Sequence, residues 1–130
     1  MREVYEYLKK AGAYFLATVE CDQPRVRPFG TYNIFEDKLY IQTGLIKNVA
    51  KQMLANPKVE ISAMVENSWI RIEAEAVYED NIEAQKSMLE AYPSLQASYQ
   101  PGDGNTAVYY LKNATATIYG FGAEPKVIKF

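Results

Sequence analysis

Two consecutive stretches of this chain alternate apolar and polar residues with period two. Lys58 to Val65 places Val59, Ile61, Ala63 and Val65 on one side of an extended backbone. Trp69 to Glu79 does the same with Ile70, Ile72, Ala74 and Ala76, and Glu66-Asn67-Ser68 supplies the turn between them. Side chains alternate across a strand, so each run has one face to bury and one left for solvent or a partner. The pattern demands an antiparallel sheet covered on one side.

The remaining segments extend that sheet. Val4, Leu8 and Ala11 recur at helical spacing before Gly12, a good C-terminal stop, and predict an amphipathic helix of about three turns. Ala13 to Val19 is an apolar run broken only by Thr18, which predicts a buried strand, and Glu20 to Pro24 a hairpin turn. Arg25 to Phe35 reads as one strand, but Pro28 cannot donate to a ladder and Gly30 weakens it, so an edge or a bulge is expected. Glu36 to Lys38 turns the chain into Leu39 to Thr43. A helix with Val49, Ala50, Met53 and Leu54 on its apolar face then ends at Asn56-Pro57.

Asp80 and Glu83 have the spacing of a capping box ahead of a helix that reaches about Tyr92. Pro93 to Thr106 reads as a loop with room for a helical turn. Ala107 to Leu111 and Ala114 to Phe121 read as a strand pair turning at Lys112-Asn113, and Gly122 to Phe130 shows no strong pattern. About seven strands with short connecting helices predict a mainly antiparallel α+β domain. A small barrel is the economical form, because closure removes sheet edges.

Composition limits the chemistry. At 130 residues, with 48% apolar and 23% charged, the chain fits a single domain spanning 1–130. A net charge of −2 points to neither nucleic acid nor an anionic membrane surface, and no apolar stretch at the start has the length of a membrane span or the pattern of a signal peptide. A cytoplasmic protein is expected. Histidine is absent, so neither a His-based triad nor a His-ligated zinc or haem site can be assembled from this chain. The one cysteine, Cys21, falls in a predicted turn with no base beside it. Redox chemistry would then come from an organic cofactor.

One constellation suits such a ligand. Thr43 ends a strand, and Lys47-Asn48 open a helix four residues later. Free N–H groups and the positive end of a helix dipole, with a lysine added, bind phosphate. Flavin mononucleotide (FMN), with a terminal phosphate and a flat ring system, is a natural candidate. Glu73 and Glu75 share a strand face and read as a solvated surface rather than an acid–base pair.

Phe15-Leu-Ala-Thr18, Arg25-Val-Arg-Pro28, Tyr40-Ile-Gln-Thr43, Lys47-Asn48 ahead of Asn56-Pro57, and Trp69-Ile-Arg-Ile72, in this order and spacing, resemble the pyridoxamine 5′-phosphate oxidase-like family. The resemblance covers nearly the whole chain. It implies a split β-barrel that forms a homodimer with FMN at the subunit interface, and FMN-dependent oxidoreduction of a small molecule. Carried onto this sequence, Arg25, Val26, Arg27, Pro28 and Phe29 would run along the isoalloxazine and ribityl chain. Thr43, Lys47 and Asn48 would take the phosphate, and Gln52, one turn further along the helix, would reach the same region. Trp69 stands where a partner subunit approaches the flavin, and Arg71 shares its strand face.

Departures from the family pattern leave the substrate open. The Tyr119 to Phe130 stretch does not resemble the basic C-terminal region of the true oxidases, although Tyr119 and Phe121 are placed to flank a pocket. Relatives that reduce nitroimidazoles or handle haem use a histidine, which is missing here. Two alternatives stand beside an oxidoreductase: a flavin-binding module without turnover, and a deazaflavin in place of FMN.

Overall fold

The computed structural model describes residues 1–130. Eight strands form one sheet: β1 (Tyr14–Glu20), β2 (Gln23–Phe29), β3 (Asn33–Phe35), β4 (Lys38–Gly44), β5 (Lys58–Val65), β6 (Ser68–Glu79), β7 (Thr106–Gly120) and β8 (Lys126–Lys129). The helices are α1 (Arg2–Ala11), α2 (Asn48–Ala55) and α3 (Ile82–Ala91), followed by a 3₁₀ turn at Pro93–Ala97.

The strands lie in the order β2-β1-β5-β6-β7-β4-β3, with β8 on the far part of β7, and every pairing is antiparallel. The two ends of this path, β2 and β3, are neighbours in sequence, separated only by Gly30-Thr31-Tyr32. Four Cα steps from Phe29 to Asn33 bound the gap at about 15 Å. The sheet therefore curls until its ends nearly meet, which is a split β-barrel.

Packing follows the period-two reading of the central hairpin. Ile61 and Ala63 of β5, and Ile70, Ile72, Ala74 and Ala76 of β6, are buried in one core with Val4 and Leu8 of α1 and Leu39 and Ile41 of β4. α1 stops where expected, at Gly12 with φ 83°, in the left-handed region that glycine adopts without penalty. α2 packs across the barrel against β1, β4 and β6. No helix is long and apolar enough to cross a membrane.

Several expectations need correction. β1 is not buried on both sides: Tyr14, Leu16 and Thr18 point inward while Phe15 is exposed. Arg25 to Phe35 belongs to two strands at opposite ends of the sheet, joined by Gly30-Thr31-Tyr32, where Tyr14 Oη donates to the Thr31 carbonyl. Leu54 is exposed; buried Gln52 takes its place on the inner face of α2. The cap of α3 is Asn81 rather than Asp80, its side chain accepting from the N–H groups of Glu83 and Ala84. Lys112-Asn113 is not a turn. It is a bulge in the continuous strand β7, where Asn113 takes φ 51° and the register against β6 shifts between Glu73 and Glu75. The unpatterned tail forms β8, which pairs with β7 through Thr115 to Ile118.

A buried polar node ties the edge strand to the barrel. Gln52 Oε1 accepts from Thr18 Oγ1 at 2.5 Å and from Arg27 Nη2 at 2.6 Å, while Gln52 Nε2 donates to Glu20 Oε2 at 3.4 Å. Replacing Gln52 by leucine keeps the bulk but leaves the Thr18 hydroxyl and an Arg27 N–H without their acceptor. Gln52→Leu is expected to lose about 1–3 kcal/mol of stability in urea unfolding, with exposed Lys51→Ala within about 0.5 kcal/mol of the parent. An unaltered midpoint for Gln52→Leu would contradict the node's role.

Candidate functional site

The split between the sheet's ends holds a cleft of ≈ 280 Å³. Its lining comes from three places: Arg27 to Thr31 on and beyond β2, Gln42, Thr43, Lys47 and Val49 around the β4–α2 turn, and Leu95 and Tyr99 after α3.

The first wall is an edge. β2 pairs with β1 from Gln23 to Phe29 in unbroken register and has no neighbour on its other side. Its outward backbone groups are therefore free for a ligand, and the missing N–H of Pro28 is harmless at an edge. Arg27 is half-buried here. It donates to the Leu16 carbonyl at 3.1 Å, Thr18 Oγ1 at 2.8 Å and Gln52 Oε1 at 2.6 Å. A guanidinium carries five N–H donors, so some remain for a ligand. Burial, and then the charge of Arg25, lower its pKa, yet arginine keeps its charge at neutral pH.

The second wall is the turn into α2. Thr31 Oγ1 both donates to the Gln42 carbonyl and accepts from its N–H, continuing the β3–β4 ladder through a side chain. Beyond it Thr43 is buried at the cleft's edge. Lys47 sits at the N-cap of α2 with extended backbone (φ −78°, ψ 150°), and no side chain caps the helix. The N–H groups of Asn48 and Val49 find no backbone carbonyl, since the first bonds into the helix run from Ala50 and Lys51 to the Lys47 carbonyl. Lys47 takes part in none of the chain's ion pairs. Two free donors and a free cation thus stand together at the start of α2, beside the cleft that Lys47 and Val49 line, and such a helix start suits an anion.

The structure brings Arg27, Pro28, Phe29, Thr43 and Lys47 together around one cleft. Arg25 lies further along β2 and pairs with Glu20 at 3.0 Å on the surface. Val26 faces away and is exposed, and Asn48 offers its backbone at the start of α2. Gln52 is committed to the polar node. Trp69 and Arg71 stand on the outer face of the sheet: Arg71 bonds Glu60 at 2.8 Å, and Trp69 stacks on Tyr119 with ring centres 5.2 Å apart. Tyr119 and Phe121 join that outer cluster rather than the cleft.

Leu95 and Tyr99 escaped the sequence reading because they fall in a stretch whose prolines and glycines say only "loop". Gly44, ending a strand buried from Leu39 onward, was the available signal for a close approach. A methyl group at position 44 would lie 3.2 Å from both Cε1 and Oη of Tyr99.

Residues 1–120 match the family model described as pyridoxamine 5′-phosphate oxidase. Among solved structures, a NimC/NimA family protein from Clostridium acetobutylicum is 44% identical over 100% of this chain and 92% of its own, with a TM-score of 0.96. General Stress Protein 26 from Bacillus anthracis str. Sterne is 18% identical, covering 99% of this chain and 97% of its own at a TM-score of 0.76. A heme binding protein from Mycobacterium smegmatis, 12% identical over 93% of this chain and 54% of its own, has a TM-score of 0.69. At those two identities the likeness is one of fold. No match is found among functionally curated proteins. The split barrel and the match over residues 1–120 agree: this chain belongs to the pyridoxamine 5′-phosphate oxidase family.

Proposed function

We propose that the protein is a cytoplasmic homodimeric flavoprotein that binds FMN in this cleft and uses it in the oxidation or reduction of a small molecule. The observation that carries the reading is the uncapped start of α2. There a free lysine and two unbonded N–H groups meet an edge strand whose backbone is open on the ligand side. A phosphate monoester fits the first and the long edge of a flat heteroaromatic ring fits the second.

In this reading Lys47 and the N–H groups of Asn48 and Val49 hold the phosphate, with the Thr43 hydroxyl as a further donor. The backbone from Val26 to Gly30 orients the ring and ribityl chain, and Arg27 supplies positive charge beside them. A flavin held by these residues would supply the redox chemistry, hydride transfer between a reduced nicotinamide or another donor and a small acceptor. The protein binds, orients and excludes water; none of its side chains is assigned proton transfer.

The outer sheet face favours a second copy. Met64, Trp69 and Tyr119 lie side by side across β5, β6 and β7, and Phe121 sets its ring edge against Trp69. Met64 is 66% exposed, Phe121 83% and, on β1, Phe15 54%. An aromatic patch of this kind on a sheet face is typical of an interface. Trp69 and Arg71, off the cleft of their own protomer, are assigned to the approach of the partner's flavin.

Lys47→Ala is expected to weaken FMN binding by about 1.5–3 kcal/mol, roughly ten- to a hundredfold in Kd. Riboflavin, which lacks the phosphate, should bind weakly to both forms and change little. Unaltered FMN affinity in the variant would remove the phosphate assignment. Bleaching of the bound flavin by a reduced nicotinamide under anaerobic conditions separates an oxidoreductase from a module that only holds the cofactor.

Sedimentation across a dilution series should find a dimer that FMN stabilises, because a ligand at a shared interface favours the associated state by mass action. Trp69→Ala should weaken association by about 2 kcal/mol or more, the scale of a buried aromatic anchor. A monomer at micromolar protein with saturating FMN would rule the dimer out.

A further inference from the structure

Arg27 is a cation without a counter-charge. It takes part in none of the chain's ion pairs. Its three hydrogen bonds go to the Leu16 carbonyl, the Thr18 hydroxyl and the Gln52 carboxamide, all neutral. They use both hydrogens of Nη1 and one of Nη2. The Nε hydrogen and the second Nη2 hydrogen are left free along one edge of the guanidinium. Burial first, and then the charge of Arg25, lower the Arg27 pKa, the direction a cation takes when nothing negative offsets its desolvation.

A carboxylate belongs to the same node. Glu20 Oε1 pairs with Arg25 at 3.0 Å, and Glu20 Oε2 accepts from Gln52 Nε2 at 3.4 Å. Gln52 bridges the two groups, its oxygen holding Arg27 and its nitrogen facing Glu20. Anchoring Arg27 and the Thr18 hydroxyl requires an acceptor at position 52, and a glutamate of the same size would serve. The neutrality of the amide has a separate effect. It leaves the whole guanidinium charge to the cleft that Arg27 lines.

Resting on the FMN reading above, we infer that Gln52 is a positioning residue that holds Arg27 without neutralising it, so that the unshared charge favours the reduced flavin. Hydride transfer from a reduced nicotinamide carries two electrons and one proton, and so adds one negative charge to the acceptor. A fixed cation beside that acceptor stabilises the charged product more than the starting state, and the reduction potential rises. Gln52 acts only through Arg27, which presents its free edge to the cleft.

The test is the midpoint potential of bound FMN at neutral pH, read without oxygen against a reference dye, in wild type, Gln52→Glu and Gln52→Leu. Gln52→Glu keeps the acceptor and sets a negative charge against Arg27. Reduction should become at least about tenfold less favourable, about 30 mV for a two-electron couple. Affinity for oxidised FMN should change by less than about threefold, since the phosphate anchor at Lys47 is untouched. Gln52→Leu, less stable but equally uncharged, should move the reduction equilibrium by less than about threefold. Glu20→Gln combined with Gln52→Glu removes the like-charged neighbour and carries the same expectation should the single variant unfold. An unaltered potential in Gln52→Glu with FMN bound, or an equal shift in the leucine variant, would overturn the inference and leave FMN binding standing. A wild type that binds no FMN would overturn both.

Discussion

The hydrogen bond from Arg27 to Gln52 fixes the distance between the two walls of the cleft. β2 is an edge strand, held along one side only, and α2 is a two-turn helix too short to be stable alone. Gln52 Oε1 binds both to the barrel through Arg27 and Thr18, and the Arg27–Leu16 carbonyl bond adds a third point. An unpaired amide or guanidinium at this depth is costly. The arrangement is therefore strongly specified, although each bond contributes little net stability by itself. The polar groups that build the fold here are also those that set the width of the site.

Topology does the rest. A sheet whose sequence-adjacent strands β2 and β3 stand at opposite ends has to curl back on itself, and the residues crossing between the ends lie in the resulting split. The site draws its backbone donors from an edge and a helix start, two places where secondary structure leaves polar groups without partners. The segment that carries Leu95 and Tyr99 to the cleft is held at Asp103, which has a consequence for pH. Backbone N–H groups, that of Thr106 foremost, hold the Asp103 carboxyl well below the usual range. A carboxylate stabilised by folding contributes fully above the ordinary pKa of ~3.9. That contribution is lost as pH falls below this value toward the folded-state one, so the hold is at full strength at neutral pH.

The barrel was legible where one physical signal dominated. Strict alternation located β5 and β6, Gly12 located the end of α1, and Pro28 located an edge. Failures came where tertiary structure overruled a local cue. Lys112-Asn113 carries the chemistry of a hairpin turn, and Asn113 does adopt φ 51°. β7 nevertheless continues, because β6 pairs with it on both sides of Asn113 and the bulge absorbs one extra residue. β8 has little pattern of its own and exists through its ladder to β7. Of the site, the edge strand and the helix start were readable from residue types at short spacing. Tyr99 was not: its place beside Gly44 depends on long-range bonds from Asn105 to Leu45 and Ile46 that no local pattern encodes.

The central claim is that the edge of β2 and the start of α2 are the two walls of one flavin site. Amide hydrogen exchange, with and without saturating FMN, reads both walls at once. The account predicts that FMN slows exchange at Val26 and Gly30, whose N–H groups point away from β1, on one side and at Asn48 and Val49 on the other, together and at the same FMN concentration. Bound FMN that protects other amides and leaves these two groups unchanged would contradict it.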